Sequence, residues 1–187
     1  MRKIIVQEWI TLDGFTADER NNLDFFTSNT LNKYSDEDVL RFMDDIDTIL
    51  LGRKTYELFV DFWPDTTNNT QIIADKLNST PRMVVSNTLD KAPWGRWPAA
   101  QIIKGDVIEE IRQLKARPGK NIVVWGSISL AQSLMKENLV DEYHFRLCPT
   151  AIGSGRPFFP PMTSYLNLKL AGFKKYESGL ILLQYIP

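Results

Sequence analysis

Cysteine and histidine are almost missing from this 187-residue chain, where Cys148 and His144 are the sole representatives of their types. A lone cysteine excludes an intramolecular disulfide, and one cysteine with one histidine cannot build a His/Cys zinc site, so no metal is expected. An excess of positive charge is absent too. Lys+Arg 22 against Asp+Glu 23 leaves a net charge of −1, which argues against nucleic-acid or anionic-membrane partners. No apolar run reaches the ~18 residues of a membrane span, and Ile4-Ile5-Val6 turns polar at Gln7-Glu8, too short for a secretory signal. A soluble, cytoplasmic protein is expected, in a compartment that suits an unpaired thiol.

What is present is core material. With 43% hydrophobic and 11% aromatic residues the chain can bury a sizeable core. At roughly 150 residues per domain, and with no repeat, low-complexity tract or long linker, one domain over residues 1–187 is expected.

Extended and helical patterns alternate. Lys3 to Trp9, Thr48 to Leu51, Arg82 to Ser86, Ala100 to Lys104 and Asn121 to Trp125 are short runs rich in β-branched residues, the strand candidates. Helical spacing joins Val39, Phe42, Met43 and Ile46; Tyr56, Phe59, Val60 and Trp63; Val107, Ile108, Ile111 and Leu114; and Leu130, Ala131, Leu134 and Met135. Ser35 reads as the N-cap of the first, ahead of acids that suit a first helical turn. The βαβα order predicts a mostly parallel central sheet with helices on both faces. Residues 140–148 predict a half-buried strand with Tyr143, Phe145 and Leu147 on its apolar face and Glu142, His144 and Arg146 on its polar one. After a Gly/Pro-rich loop from Pro149 to Pro161, Leu166 to Phe173 and Gly179 to Ile186 predict a C-terminal antiparallel hairpin.

Three strand ends could carry chemistry. In Leu50-Leu51-Gly52-Arg53-Lys54-Thr55-Tyr56-Glu57 a strand stops at glycine and a helix starts at once with two cations and a hydroxyl. Free N–H groups and the helix dipole make such a start an anion site, the alternative being an ordinary turn with surface cations. Val123-Val124-Trp125-Gly126-Ser127-Ile128 repeats the arrangement. Two such turns at the carboxyl ends of parallel strands would face one crevice, where open α/β sheets bind nucleotides. Ser86-Asn87-Thr88 ends a third strand, and there a simple turn competes with a binding role.

Gly52-Arg53-Lys54-Thr55-Tyr56-Glu57 resembles the cofactor-binding signature of dihydrofolate reductase-like proteins. The order of the other elements is similar as well: Thr11-Leu12-Asp13-Gly14 after the first strand, the Ser86 turn, Trp125-Gly126-Ser127, Leu139-Val140-Asp141-Glu142, then Pro149 with Gly153 and Gly155. The last elements resemble the reductase domain of the riboflavin-biosynthesis deaminase-reductase more than dihydrofolate reductase itself. The resemblance spans nearly the whole chain and implies a dihydrofolate reductase-like three-layer fold.

It also implies an NADPH-dependent oxidoreductase that transfers hydride to a C=N or C=O acceptor, similar to 5-amino-6-(5-phosphoribosylamino)uracil reductase. Arg53, Lys54 and Thr55 would meet the 2′-phosphate and pyrophosphate, Ser86 and Asn87 the adenine-ribose side, and Trp125, Gly126, Ser127 and Ile128 the pyrophosphate and nicotinamide half. Asp13 and Thr11 are the candidate catalytic residues, as polar contacts to substrate under a flap running from Asp13-Gly14 to Phe26; a plain Asp-Gly turn is the alternative, and the proton source is left between Asp13 and water. Arg156 is the candidate for a substrate phosphate. Relatives carry two adjacent glycines where this chain has Trp125-Gly126, which moves their unusual peptide geometry to a Trp-Gly bond.

Dihydrofolate reductase uses a carboxylate on its first helix, but Asp36, Glu37, Asp38, Asp44 and Asp45 read as lying outside the buried stripe here. The zinc deaminase elements H-x-E and P-C-x-x-C of the bifunctional riboflavin protein are absent, which excludes deamination. His144 reads as solvent-facing or at an interface, and Cys148 as a packing residue. Exposed Phe158 and Phe159 would mark the interface of the expected homodimer, burial within one subunit being the alternative. Dihydrofolate reductase proper and a non-catalytic nucleotide-binding or assembly module are the rival readings.

Overall fold

A computed structural model describes residues 1–27, 29–32, 35–67, 71–162 and 164–187. In chain order the strands are β1 (Ile4–Ile10), β2 (Phe15–Ala17), β3 (Ile46–Gly52), β4 (Arg82–Val85), β5 (Gln101–Ile103), β6 (Asn121–Val124), β7 (Glu142–Leu147), β8 (Arg156–Pro157), β9 (Lys169–Lys175) and β10 (Ile181–Ile186). The helices are α1 (Asn29–Asn32), α2 (Ser35–Phe42), α3 (Arg53–Val60), α4 (Ala74–Ser79), α5 (Val107–Ala116) and α6 (Ile128–Lys136). None among the described residues is long and apolar enough to cross a membrane.

Eight strands form one sheet in the order β5-β4-β3-β6-β1-β7-β10-β9, while β2 pairs with β8 apart from it. From β5 to β7 every pairing is parallel, and β10 then runs antiparallel to both β7 and β9. The expected C-terminal hairpin is therefore present. Its first strand begins at Lys169 rather than Leu166, and a turn closed by Tyr176 N donating to Leu180 O at 2.9 Å joins the two.

Strand alternation divides the core between the two faces. Val6, Leu50, Ile122 and Val124 point toward α5 and α6, against Ile111, Leu114, Leu130 and Leu134. Ile5, Ile49, Leu51 and Val123 point the other way, toward Val39, Tyr56 and Leu77 of α2, α3 and α4. Both faces are covered, which is why β3 reads as a near-continuous apolar run. Each such fully buried side chain contributes about 1.5–3 kcal/mol.

Two local expectations change. The first helix stops at Phe42, a 3₁₀ turn fills Met43–Asp45, and Ile46 opens β3. Ser35 lies inside α2 and its hydroxyl donates backward to Asn32 O at 3.1 Å, so it is not the N-cap. β7 also departs from the half-buried pattern. His144 and Arg146 are only 3% and 1% exposed, because β1 and β10 flank the strand while Phe42 covers His144, and Trp9, backed by Phe26, covers Arg146. His144 packs against Phe42, bonds Glu142 Oε2 at 2.9 Å, and is held below its ordinary pKa by burial.

Candidate functional site

Because β3 and β6 are parallel neighbours, their two βα turns abut. Gly52 N donates to Gly126 O at 3.0 Å, and Trp125 N donates to Leu50 O at 3.3 Å. The turns also interlock sterically: a Cβ on Gly126 would meet Thr55 Oγ1 at 2.8 Å. The peptide between Gly126 and Ser127 is cis, one bond later than the Trp125-Gly126 bond expected. Gly126 sits at φ +75°, a region that glycine enters freely, while Trp125 sends its buried indole inward to donate to Gln7 Oε1 at 2.9 Å.

Neither α3 nor α6 has a side chain capping its first N–H groups; their N-caps are Gly52 and Ser127. α5 shows the contrast, since Asp106 accepts from Glu109 N at 3.1 Å and closes that helix start. Two open helix starts brought edge to edge concentrate free N–H donors and dipole potential at one place, a match for a phosphate-bearing ligand.

The candidate binding residues contribute unequally. Arg53 and Lys54 are at the mouth of this cradle, Arg53 paired to Glu57 at 2.7 Å with both side chains half in solvent. Ile128 and Trp125 are buried in opposite cores, so only their backbone faces the turn. Ser127 Oγ lies 2.9 Å from Ser129 Oγ. Ser86 Oγ accepts from Thr88 N and Leu89 N at 3.2 and 3.1 Å, and Asn87 Oδ1 accepts from Gly105 N at 3.2 Å. Both side chains thus brace the ends of β4 and β5.

Asp13 and Thr11 lie in the turn between β1 and β2. Thr11 donates to Asp13 Oδ1 at 2.5 Å and accepts from Phe15 N at 3.0 Å. The Asp13 carboxylate takes Gly153 N at 2.7 Å and Ile152 N at 3.1 Å, clasping the loop after β7. The Thr11 hydroxyl, with the Gly153 and Ile152 amides, holds this carboxyl below its ordinary range, so it carries no proton near neutrality. Arg156 lies opposite on β8, where Thr16 Oγ1 donates to its carbonyl at 2.9 Å. Phe158 is fully buried, edge-on to Phe145 at 4.9 Å, so it offers no interface; Phe159 packs beside it. The loop folds back onto the sheet because Phe158 N donates to Gly14 O at 3.1 Å.

A second cluster, which sequence reading missed, lies on the α2 side of β1 and β7. Trp9 and Arg146 are register partners there, with the guanidinium 5.3 Å from the Trp9 ring centre. Phe26 stacks on the same indole at 5.5 Å, and Trp9 Nε1 donates to Asn32 Oδ1 at 3.2 Å. Asp38 works against its burial: Lys174 at 2.5 Å, the Tyr176 hydroxyl at 2.6 Å and Arg41 pull its carboxyl down to about 2. Asp36 does not lie outside the buried stripe. It is half-buried, and burial raises its carboxyl above the ordinary range against the nearby charge of Arg146. Its position three and four residues before Val39 and Leu40 was the available signal. On the opposite face of β1, burial pushes Glu8 up to about 8, opposed by Trp9 N and by the charge of Arg156.

Residues 2–182 match the family model of the RibD C-terminal domain. The uncharacterized protein YyaP of Bacillus subtilis is 28% identical over 186 residues, covering 98% of this chain and 94% of its own. A solved protein of Shewanella sp. PV-4, provisionally placed in riboflavin biosynthesis, superposes with TM-score 0.74 at 25% identity, covering 98% of both chains. Dihydrofolate reductase from Enterococcus faecalis, solved with NADP(H), shares the fold at TM-score 0.63 and 14% identity, over 98% of this chain and 95% of that one.

Proposed function

The chain belongs to the RibD C-terminal domain family, and from that premise we propose that it is a reductase using NADPH on a small C=N or C=O acceptor. One observation carries the reading: the uncapped starts of α3 and α6, clasped through Gly52 and Gly126, form a cradle suited to a dinucleotide's pyrophosphate. When bound, the nicotinamide supplies hydride.

In this reading the amides of Gly52, Arg53, Lys54 and Thr55 and of Gly126, Ser127 and Ile128 receive the pyrophosphate oxygens, with Trp125 fixing the turn. Arg53 exchanges Glu57 for the 2′-phosphate, aided by Lys54, and Ser86 and Asn87 shape the adenine-ribose side. Thr11 and Asp13 serve the reaction by holding the loops over the nicotinamide end, while Asp36 is the proton source. Arg156 is the candidate contact for a substrate phosphate. The same reading takes 1–187 as one domain acting as a cytoplasmic homodimer, with exposed Met162 and Tyr165 as the candidate apolar contact.

Asp36 also favours a second reading, dihydrofolate reductase proper, whose first helix supplies such a carboxylate. The test is titration of the purified protein with NADPH and NADH, read by melting temperature and fluorescence, followed by NADPH oxidation with a ribosylaminopyrimidine phosphate and with dihydrofolate. A melting shift and turnover on the pyrimidine support the proposal. Turnover on dihydrofolate alone selects the second reading, and binding without any turnover selects a non-catalytic module. No response to either nucleotide overturns all three.

A further inference from the structure

Three arginines are buried, and the fold treats them differently. Arg2 donates to Lys120 O at 2.6 Å, to Thr48 Oγ1 at 2.7 Å and to Asp47. Arg82 donates through Nη1 and Nη2 to the carbonyls of Asn78, Pro98 and Leu77 and lies over Trp94 at 4.4 Å, only its Nε being without a hydrogen-bond partner among the described residues. Arg146 is the most deeply buried of the three, and it alone has two donors, Nε and Nη1, without a hydrogen-bond partner among the described residues. Unpaired buried donors on a cation are among the costliest features a fold can keep. The carboxylate that would naturally answer it, Asp38, is already taken by Lys174, Tyr176 and Arg41.

The surroundings define what could satisfy these donors. Trp9 offers a flat wall, and the ring now stacked on it is Phe26, from a segment tied down through Leu31 O to Ser178 Oγ at 2.7 Å and through Asn32 to Trp9. The Tyr176 hydroxyl bonds the Arg146 guanidinium, and Asp36 and Asp38 act on it through space. A full anion brought here would face two carboxyl groups. A neutral carbonyl oxygen would take the free N–H donors without that repulsion.

Resting on the reductase reading, we propose that Arg146 anchors the acceptor: a planar, uncharged heterocycle whose ring carbonyl oxygen accepts from Nε or Nη1 while its face replaces Phe26 on Trp9. Phe26, with Phe25 edge-on to it, is then the group that yields its place to the ligand.

The probe is lumazine, a neutral planar ring with two carbonyls, compared with benzoate, an anion of similar width. With the wild-type chain lumazine should quench tryptophan fluorescence and raise the melting temperature, and benzoate should do neither. Arg146→Met should weaken lumazine about tenfold or more while NADPH titrates as before and the unliganded melting temperature holds or rises. Arg146→Lys retains a cation, and should keep part of the affinity if Met proves poorly folded. Unchanged lumazine binding in folded Arg146→Met or Arg146→Lys, no lumazine binding to wild type, or a preference for benzoate overturns the assignment. Loss of NADPH binding in wild type instead removes the reductase reading beneath it.

Discussion

A Cβ added to Gly52 would stand 2.2 Å from Oγ and 2.9 Å from the backbone N of Ser127, so the two strand-to-helix turns touch with no room for a methyl group. Gly52→Ala should force α3 and α6 apart. A stability loss of about 1–3 kcal/mol in denaturant unfolding is expected, together with NADPH affinity reduced about tenfold or more. Wild-type values in both measurements would show that the contact does not build the cradle.

Arg53 makes one ion pair, with Glu57, and half of its side chain meets solvent. It is free to change partner at little cost, since exposed pairs of this kind are worth at most about 1 kcal/mol. Arg53→Ala should therefore leave the melting temperature within a degree or two, weaken NADPH about tenfold or more, and leave NADH nearly unaffected. Equal losses for both nucleotides in a binding titration would take Arg53 away from the 2′-phosphate.

Asp36 is held above the ordinary carboxyl range by burial, so its protonated fraction falls as the pH rises through that raised value. Turnover that draws its proton there should fall over the same window. Asp36→Asn should lower kcat by about 10²- to 10⁴-fold and flatten the alkaline limb of the profile. A profile of unchanged shape would assign the proton to water.

Glu8 makes its own pH dependence. Its folded carboxyl stands at about 8 against an ordinary 4.5, so the folded state favours the neutral form. That contribution is complete below about 4.5 and is lost as the pH climbs through about 8. Glu8→Gln should gain stability over wild type progressively across this window, levelling above it at an advantage on the order of 5 kcal/mol by urea unfolding. A constant difference across the window would place the Glu8 side chain in water.

The sheet and the cradle were legible because their signals are local. β-branched runs ending in Gly52 and Gly126, each followed by a helix, announce strand, turn and helix start within eight residues. The second cluster depended on what lands on top of it. Glu142, His144 and Arg146 alternate like any solvent-facing set, and nothing in that alternation says that Phe42, Trp9 and Phe26 will cover the last two. Asp36 sat among five acids and took the group's reading, although its spacing to Val39 and Leu40 set it apart. Glu8 looked like the polar end of β1, where its neighbours Phe145 and Arg156 come from residues more than 130 positions later.

The clasp between the Asp13 carboxylate and the Ile152 and Gly153 amides, with the β2–β8 pairing beside it, links stretches near opposite ends of the chain. The two stretches are thereby coupled as one unit: displacing one must carry the other with it or break these bonds. That unit is anchored at Ile10 and Leu147, which face each other where β1 and β7 end. Those two anchorages directly follow Trp9 and Arg146 along β1 and β7, so the clasp and the proposed acceptor wall rest on one base.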